Sequence, residues 1–182
     1  MEARVIKIGG ELAGSAEDLG HLAADLRAGE GWVLVHGGGA EVSQLARRFG
    51  VEPRFVDGVR QTSEQEMDYV DMALSGQINK RLVRLFQSAG LNAVGLSGSD
   101  GRIFTGRPAA AGSRTGDVTR VEPALLEALL AGGYFPVLCS TSMADDGRGL
   151  NINADTAALA VAAALRARTL VFLSDIPGVL KD

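Results

Sequence analysis

Histidine and cysteine are scarce in this sequence: its 182 residues hold two His and one Cys. A single cysteine excludes an internal disulfide, and no His–Ser–Asp grouping is evident for nucleophilic catalysis. Prolines number five, so the 24 glycines, well above the usual share of about 7%, belong to turns and anion loops rather than to disorder. Basic runs are missing and the net charge is −4, which argues against nucleic acid or a membrane surface as partner. No apolar stretch reaches transmembrane length, and Met1-Glu-Ala-Arg-Val leads straight into a strand without a leader-like apolar region; a cytoplasmic protein is expected. Gly-x-x-x-x-Gly-Lys-Ser/Thr is absent, which excludes a P-loop kinase. Gly95-Leu-Ser97-Gly-Ser99 lacks the last glycine of a nucleophile elbow. A dinucleotide fingerprint is weak as well, since Gly37-Gly-Gly39-Ala-Glu-Val42 has no third glycine even though Asp57 follows at a suitable distance.

What is present is organised around Trp32-Val-Leu-Val-His36-Gly37-Gly38-Gly39. The first five residues read as a buried strand. Beyond the triplet, Val42, Leu45, Ala46 and Phe49 mark one face of an amphipathic helix. Glycines between a strand and a helix N-terminus leave backbone N–H groups uncovered beside partial positive charge, which is a cradle for phosphate or carboxylate.

The rest of the chain repeats the β-α-β rhythm. Ala3 to Ile8 is strand-like, with Lys7 out of place in an apolar run, and Gly9-Gly10 follows. A helix is expected from Ser15 or Ala16 to about Ala28. Pro53 leads through a link to Gly58-Val-Arg60, and Thr62-Ser-Glu-Gln65 offers capping-box chemistry for a long helix reaching Ala89. Its stripe of Met67, Val70, Leu74, Ile78, Leu82, Leu85 and Phe86 suits core packing and a subunit contact. Asn92 to Leu96 is a short strand, Ser97 to Gly101 a turn, and residues 102–120 read as hairpins. A helix from Pro123 to Ala131 buries Leu125, Leu126, Leu129 and Leu130. The strand Phe135 to Cys139 carries an inert buried thiol. A Gly147/Gly149 turn leads to Asn151-Ile-Asn153-Ala-Asp155 and to a helix, Ala154 to Leu165, so apolar that both its faces should be covered. Thr169 to Leu173 is a further buried strand before Ser174-Asp-Ile-Pro-Gly178. The fold class is α/β: an open, mainly parallel sheet sandwiched between helices, with a β-hairpin edge region, in one domain over 1–182.

In such sheets ligands gather at the carboxyl ends of the strands. There the topology gathers Lys7 to Gly10, His36 to Gly39, Asn151 to Asp155 and Ser174 to Gly178. Two glycine nests, a lysine, amides and two carboxylates suit phosphoryl transfer, where the task is to neutralise spreading charge and align donor with acceptor. Lys7 could extend its amine to solvent, but the adjacent glycines favour a phosphate role. Asp155 could simply complement its helix dipole, or pair with a lysine on the neighbouring strand. Arg60 is either a solvated loop arginine or a bidentate grip on a carboxylate. His36 reads as a packed, hydrogen-bonded histidine.

As an ordered set, Lys7-Ile-Gly-Gly10, His36-Gly-Gly-Gly39, Gly58-Val-Arg60, Asn79-Lys80, Gly95-Leu-Ser-Gly98, Gly133-Tyr-Phe-Pro136, Asn151-Ile-Asn-Ala-Asp155 and Ser174-Asp-Ile-Pro-Gly178 resemble the amino acid kinase family over essentially the whole chain, on its acetylglutamate-phosphorylating branch. The resemblance implies transfer of the ATP γ-phosphoryl to the side-chain carboxylate of N-acetyl-L-glutamate. Catalytic roles would fall to Lys7 and to Asp155, which orients the lysines. Gly38, Gly39, Arg60 and Asn151 would bind the acyl substrate. Gly10, Ser174, Asp175 and Gly178 would open the nucleotide site, with Mg²⁺ held mainly by the ATP phosphates and no metal-ligating set on the protein. It also implies a homodimer across the Ser63 to Ala89 helix. Family members continue past Ser-Asp-Ile-Pro-Gly into a lobe bearing a second catalytic lysine, so residues 1–182 should bind the acyl substrate more readily than they turn over ATP. Three other readings remain open: a carrier-linked aminoadipate kinase of lysine biosynthesis, a non-catalytic ligand sensor, and a nicotinamide-dependent oxidoreductase.

Overall fold

The computed structural model describes residues 2–27, 29, 31–56 and 58–174; Asp57, Asp175 and Gly178 lie outside the described residues. In chain order the elements are β1 (Arg4–Ile8), α1 (Ala16–Arg27), β2 (Trp32–His36), α2 (Gly39–Arg48), β3 (Arg54–Val56) and β4 (Val59–Gln61). Next come α3 (Glu64–Asp71), a π-helical stretch (Met72–Ile78) and α4 (Asn79–Ser88), which run on as one rod. After them lie β5 (Ala93–Leu96), β6 (Phe104–Pro108), β7 (Thr115–Val121), α5 (Ala124–Ala131) and β8 (Phe135–Cys139). The described chain closes with β9 (Thr141–Ala144), β10 (Gly149–Ile152), α6 (Ala154–Ala164) and β11 (Thr169–Leu173).

Five strands form a parallel sheet in the order β11-β1-β2-β8-β5. Apolar side chains on both of its surfaces require cover on both. Ile6, Ile8, Leu34, Val137 and Cys139 face a core closed by α1, α2 and the α3-to-α4 rod. Val5, Val33, Val35 and Leu138 face the opposite core, closed by α5, α6 and strands β6, β9 and β10. Two-residue alternation therefore puts Lys7 on the side of Val5, toward α6. That single fact of pleat places the odd lysine.

Several expectations change. Residues 102–120 do form a hairpin, β6 with β7, but it is no edge of the main sheet: β6, β7, β9 and β10 close on themselves as a small barrel. Gly106 and Gly116 permit this, because a Cβ on Gly116 would come within 2.6 Å of the Arg107 carbonyl oxygen and one on Gly106 would strike that of Asp117. The capping box lies one residue later than Thr62-Gln65. Ser63 Oγ accepts from Glu66 N–H at 3.2 Å while Ser63 N–H donates to Glu66 Oε2 at 2.9 Å. Thr62 is taken instead by the β4–β7 junction. The link after Pro53 contains an unanticipated hairpin, β3 with β4. Phe49 lies past the end of α2, 55% exposed, and stacks on Tyr69 at 4.8 Å. Leu125 and Leu129 are only half-buried. Among the described residues, helix α6 is covered on one side only, leaving Leu159 60% exposed, and β11 is an edge strand with Phe172 49% exposed.

The long stripe is borne out: Met67, Val70, Leu74, Ile78, Leu82 and Phe86 are all buried, and Leu85 packs against the same core. Within the π-helical stretch, the extra backbone per turn brings Ser75 Oγ to Thr141 Oγ1 at 2.8 Å and Cys139 Sγ at 3.3 Å. Burial pushes the Cys139 thiol up from its ordinary pKa, in keeping with an unreactive core thiol.

His36 is fully buried at the end of β2, and desolvation lowers its pKa from 6.5 to about 4, partly opposed by the Gly37 carbonyl it bonds. Below pH 6.5 the unfolded chain takes up a proton that the folded chain refuses. Stability contributed by keeping this imidazole neutral is therefore complete above about pH 7 and is lost as the pH falls toward 4, by on the order of 3 kcal/mol in all. Urea denaturation between pH 7.5 and 4.5 should show this decline, and it should be absent from a His36→Asn variant; an imidazole titrating near 6.5 in the folded protein would contradict it.

Candidate active site

Where β1 and β2 end, an open cavity of about 590 Å³ is lined by three of the four expected loops. Lys7, Gly9, Gly37 to Gly39 and Asn151 to Asp155 all border it, as do Arg60 and the barrel residues Thr115 to Asp117. A smaller hollow of about 360 Å³ opens at the amino ends of the strands, between Trp32 and Tyr134. Its described lining offers one arginine and neither lysine nor carboxylate, so the chemistry belongs to the former.

Lys7 Nζ lies 2.8 Å from Asp155 Oδ1, with side-chain exposures of 13% and 55%. The sequence builds this pair from two sides. Strand alternation turns Lys7 toward α6, and Asn153 starts α6 by accepting from the N–H groups of Asp155 at 2.8 Å and Thr156 at 3.1 Å. With its helix end capped by Asn153, the Asp155 carboxylate is left for the amine. Gly9 makes room: a Cβ there would sit 2.5 Å from Lys7 Nζ. Gly9 thus lines the cavity, whereas Gly10 opens a short 3-10 turn, Gly10–Gly14. Ser174 lies just past β11, whose last carbonyl, Leu173, accepts from Gly9 N–H at 3.2 Å.

The glycine triplet continues β2 into the first turn of α2. Among the described residues no acceptor meets the N–H of Gly38 or Gly39, and both residues border the cavity. Gly38 must lack a side chain because a Cβ would strike Ile78 Cδ1 and approach Leu74 Cδ2 to 3.0 Å. The π-helical stretch thus packs directly beneath the nest.

Arg60 is neither solvated nor free. It is 8% exposed. Its Nη2 donates to the Gly39 carbonyl at 3.0 Å and to Ser43 Oγ, and its Cζ lies 4.8 Å from the centre of the Phe55 ring. Burial pulls its pKa below the ordinary value, against the pull of Glu66, yet a guanidinium stays charged at neutral pH. Asn151 faces it from β10: its Nδ2 donates to Thr62 Oγ1 at 2.9 Å, Thr62 N–H donates to Thr115 Oγ1 at 3.0 Å, and Thr115 Oγ1 donates to the Arg60 carbonyl. Arg60 and Asn151 thereby share one wall. Ser43 and Thr115 carry no signal in the sequence, Thr62 reads there only as part of a helix cap, and Gly9 only as one of the glycines beside Lys7.

The site can hold anions. It offers an amine, a guanidinium, two backbone N–H groups and the positive end of α2. Of its described titratable neighbours, His36 is buried behind the loop, Asp155 is engaged by Lys7, and Asp117 borders the cavity from the barrel.

The family model described as amino acid kinase family matches residues 2–182. The acetylglutamate kinase of Methanopyrus kandleri is 46% identical over 187 aligned positions, spanning 98% of this chain and 73% of that protein. That of Synechococcus sp. (strain CC9605) is also 46% identical, across 98% of this chain and 63% of its own length. The crystal structure of smu.665 from Streptococcus mutans UA159 superposes with a TM-score of 0.89 at 32% identity, covering 99% of this chain and 75% of that one. The chain thus spans roughly two thirds of these relatives, and it belongs to the amino acid kinase family.

Proposed function

We propose that this chain transfers the γ-phosphoryl group of ATP to the side-chain carboxylate of N-acetyl-L-glutamate, forming an acyl phosphate on the route to arginine. Support comes from the names of the relatives and, above all, from one observation: the Lys7–Asp155 pair and the uncovered Gly38 and Gly39 N–H groups border the same cavity. A carboxylate acceptor with a pKa of about 4.3 is already ionised at pH 7 and needs no general base. What it needs is relief from repulsion as two anions meet. Lys7 supplies positive charge at the transferring group, Asp155 holds the amine in place, and the glycine N–H groups receive the oxygens on which charge accumulates. Among the described residues, the Arg60 guanidinium bonds only Gly39 and Ser43, and with Asn151 it holds the substrate's α-carboxylate and neighbouring groups.

Gly10 and Ser174, with Asp175 and Gly178 beyond the described residues, begin the nucleotide side. When bound there, ATP would supply the phosphoryl group, and a Mg²⁺ held mainly by its phosphates would add positive charge. Among the described residues, the carboxylates that border the cavity are Asp117 and the lysine-bound Asp155. We also place the protein in the cytoplasm as a homodimer. No described helix is long and apolar enough to cross a membrane. The helical stripe expected to serve a subunit contact is spent in the core, so that contact falls to the outer surface of the rod, where Met72 is 54% exposed. A carrier-linked substrate would need a basic docking surface; of Arg102, Arg107 and Arg114 only the first two are exposed, Arg114 being 2% exposed.

Replacing Lys7 by Ala should lower acetylglutamate-dependent ADP release by about 10²–10³-fold, and Asp155→Asn should also depress kcat while leaving the KM for N-acetyl-L-glutamate within a few-fold. Activity close to wild type in both would overturn the assignment. Gly9→Ala should displace the amine from Asp155 and reduce kcat at least ~10-fold with little change in Tm; a fall in Tm without loss of kcat would show Gly9 to be merely structural.

A further inference from the structure

The imidazole of His36 lies behind the glycine nest rather than in the cavity, and its hydrogen bonds fix more than the fold. Its Nδ1 is 2.9 Å from the carbonyl oxygen of Gly37. A carbonyl can only accept, so Nδ1 carries the proton. Nε2 is then an acceptor, and Asn79 Nδ2 donates to it at 3.1 Å. The orientation of Asn79 is fixed in turn. Nδ2 also donates to the Val137 carbonyl at 2.9 Å, and Oδ1 accepts from the Lys80 ammonium, a group with no acceptor, at 3.0 Å. Lys80 Nζ donates onward to the Gly95 carbonyl at 3.0 Å. Gly95 must be glycine here, because a Cβ would overlap Asn79 Oδ1. For the two buried members, Asn79 and His36, these contacts are met in only one arrangement: neutral His36 with its proton on Nδ1.

The chain of bonds ends on the peptide between Gly37 and Gly38. That peptide is trans, like every described one. In a planar trans peptide the C=O and N–H vectors point in opposite directions. Holding the Gly37 oxygen on the core side therefore aims the Gly38 N–H the other way, toward the cavity. Without the imidazole proton, a glycine pair has no side chain to resist rotation of that peptide. Rotation would present an oxygen, rather than an N–H, to an incoming anion.

We infer that His36 is a positioning residue: as the Nδ1-protonated tautomer, held by Asn79 and Lys80, it sets the direction of the Gly38 N–H donor. This deepens the proposed function and rests on the nest receiving an anionic group.

Two measurements test it. In uniformly ¹⁵N-labelled protein without ligand at pH 7, the His36 ring should show a protonated Nδ1 and a bare Nε2; the opposite tautomer overturns the inference whether or not the protein binds any substrate. The second compares substitutions. Asparagine can place its amide near the site of Nδ1 and glutamine near that of Nε2. His36→Gln should shift the Gly38 amide resonance and weaken calorimetric binding of N-acetyl-L-glutamate at least tenfold, and His36→Asn should recover most of both. Equal losses in the two variants at matched Tm, or no loss in either, would contradict positioning by the Nδ1 donor. If His36→Gln does not fold, the tautomer measurement still decides. If the unsubstituted protein fails to bind N-acetyl-L-glutamate, it is the substrate assignment that falls, and the ring tautomer and the ligand-free Gly38 resonance still judge His36.

Discussion

An ammonium group largely withdrawn from water must find a counter-charge, and in this protein the requirement is met by one contact, Lys7 to Asp155 at 2.8 Å. Much of the architecture can be understood as arranging it. The lysine stands on β1, flanked by β2 and β11 in the parallel sheet. The carboxylate stands in the first turn of α6, which the Asn153 cap starts at the mouth of the cavity. Between them the polypeptide builds a helical rod, a second core and a small barrel. Those parts hold α6 against the sheet from one side and carry Arg60 and Asn151 to the cavity's far wall.

A second constraint is closeness. The sheet end is crowded enough that side chains are excluded at several points. Lys7 occupies the place of a Gly9 side chain, Ile78 and Leu74 that of Gly38, and Asn79 with Lys80 that of Gly95. Crowding of this kind gives backbone N–H groups a fixed direction without spending a side chain on each, and it explains how a chain with two histidines and one cysteine can furnish a charge-stabilising site. The polar chain from Gly95 to Gly37 belongs to the same design. Its buried members, Asn79 and His36, have their side-chain polar atoms engaged, which is the condition under which a polar network rigidifies rather than weakens a core.

Much of this was legible in the sequence wherever local pattern and global fold agree. The parallel sheet followed from uninterrupted apolar strands alternating with amphipathic helices, and the rod's stripe from its regular spacing. Lys7 and Asp155 drew attention because each is charged beside wholly apolar neighbours. Legibility failed where long-range contact decides. The barrel needs β9 and β10, two short strands that read locally as a turn and its flanks, and closure depends on the approach of Gly106 and Gly116 to facing carbonyls. Thr115 is unremarkable in sequence and Thr62 reads as part of a helix cap; only the fold makes them the stitch beneath Arg60. The exposure of α6 and β11 on their outer sides was missed for a different reason. Apolar composition says that a surface wants cover; it does not say that the described chain supplies it.

The central claim is that the amine of Lys7 and the backbone donors of the glycine nest act together on one anionic ligand. A crystal structure of the protein with N-acetyl-L-glutamate tests it most directly. The account predicts the ligand in the 590 Å³ cavity, its side-chain carboxylate within hydrogen-bonding distance of the Gly38 or Gly39 nitrogen and beside Lys7, with the other carboxylate on Arg60. A ligand bound with neither carboxylate near the glycine nest, or seated in the hollow between Trp32 and Tyr134, would contradict it.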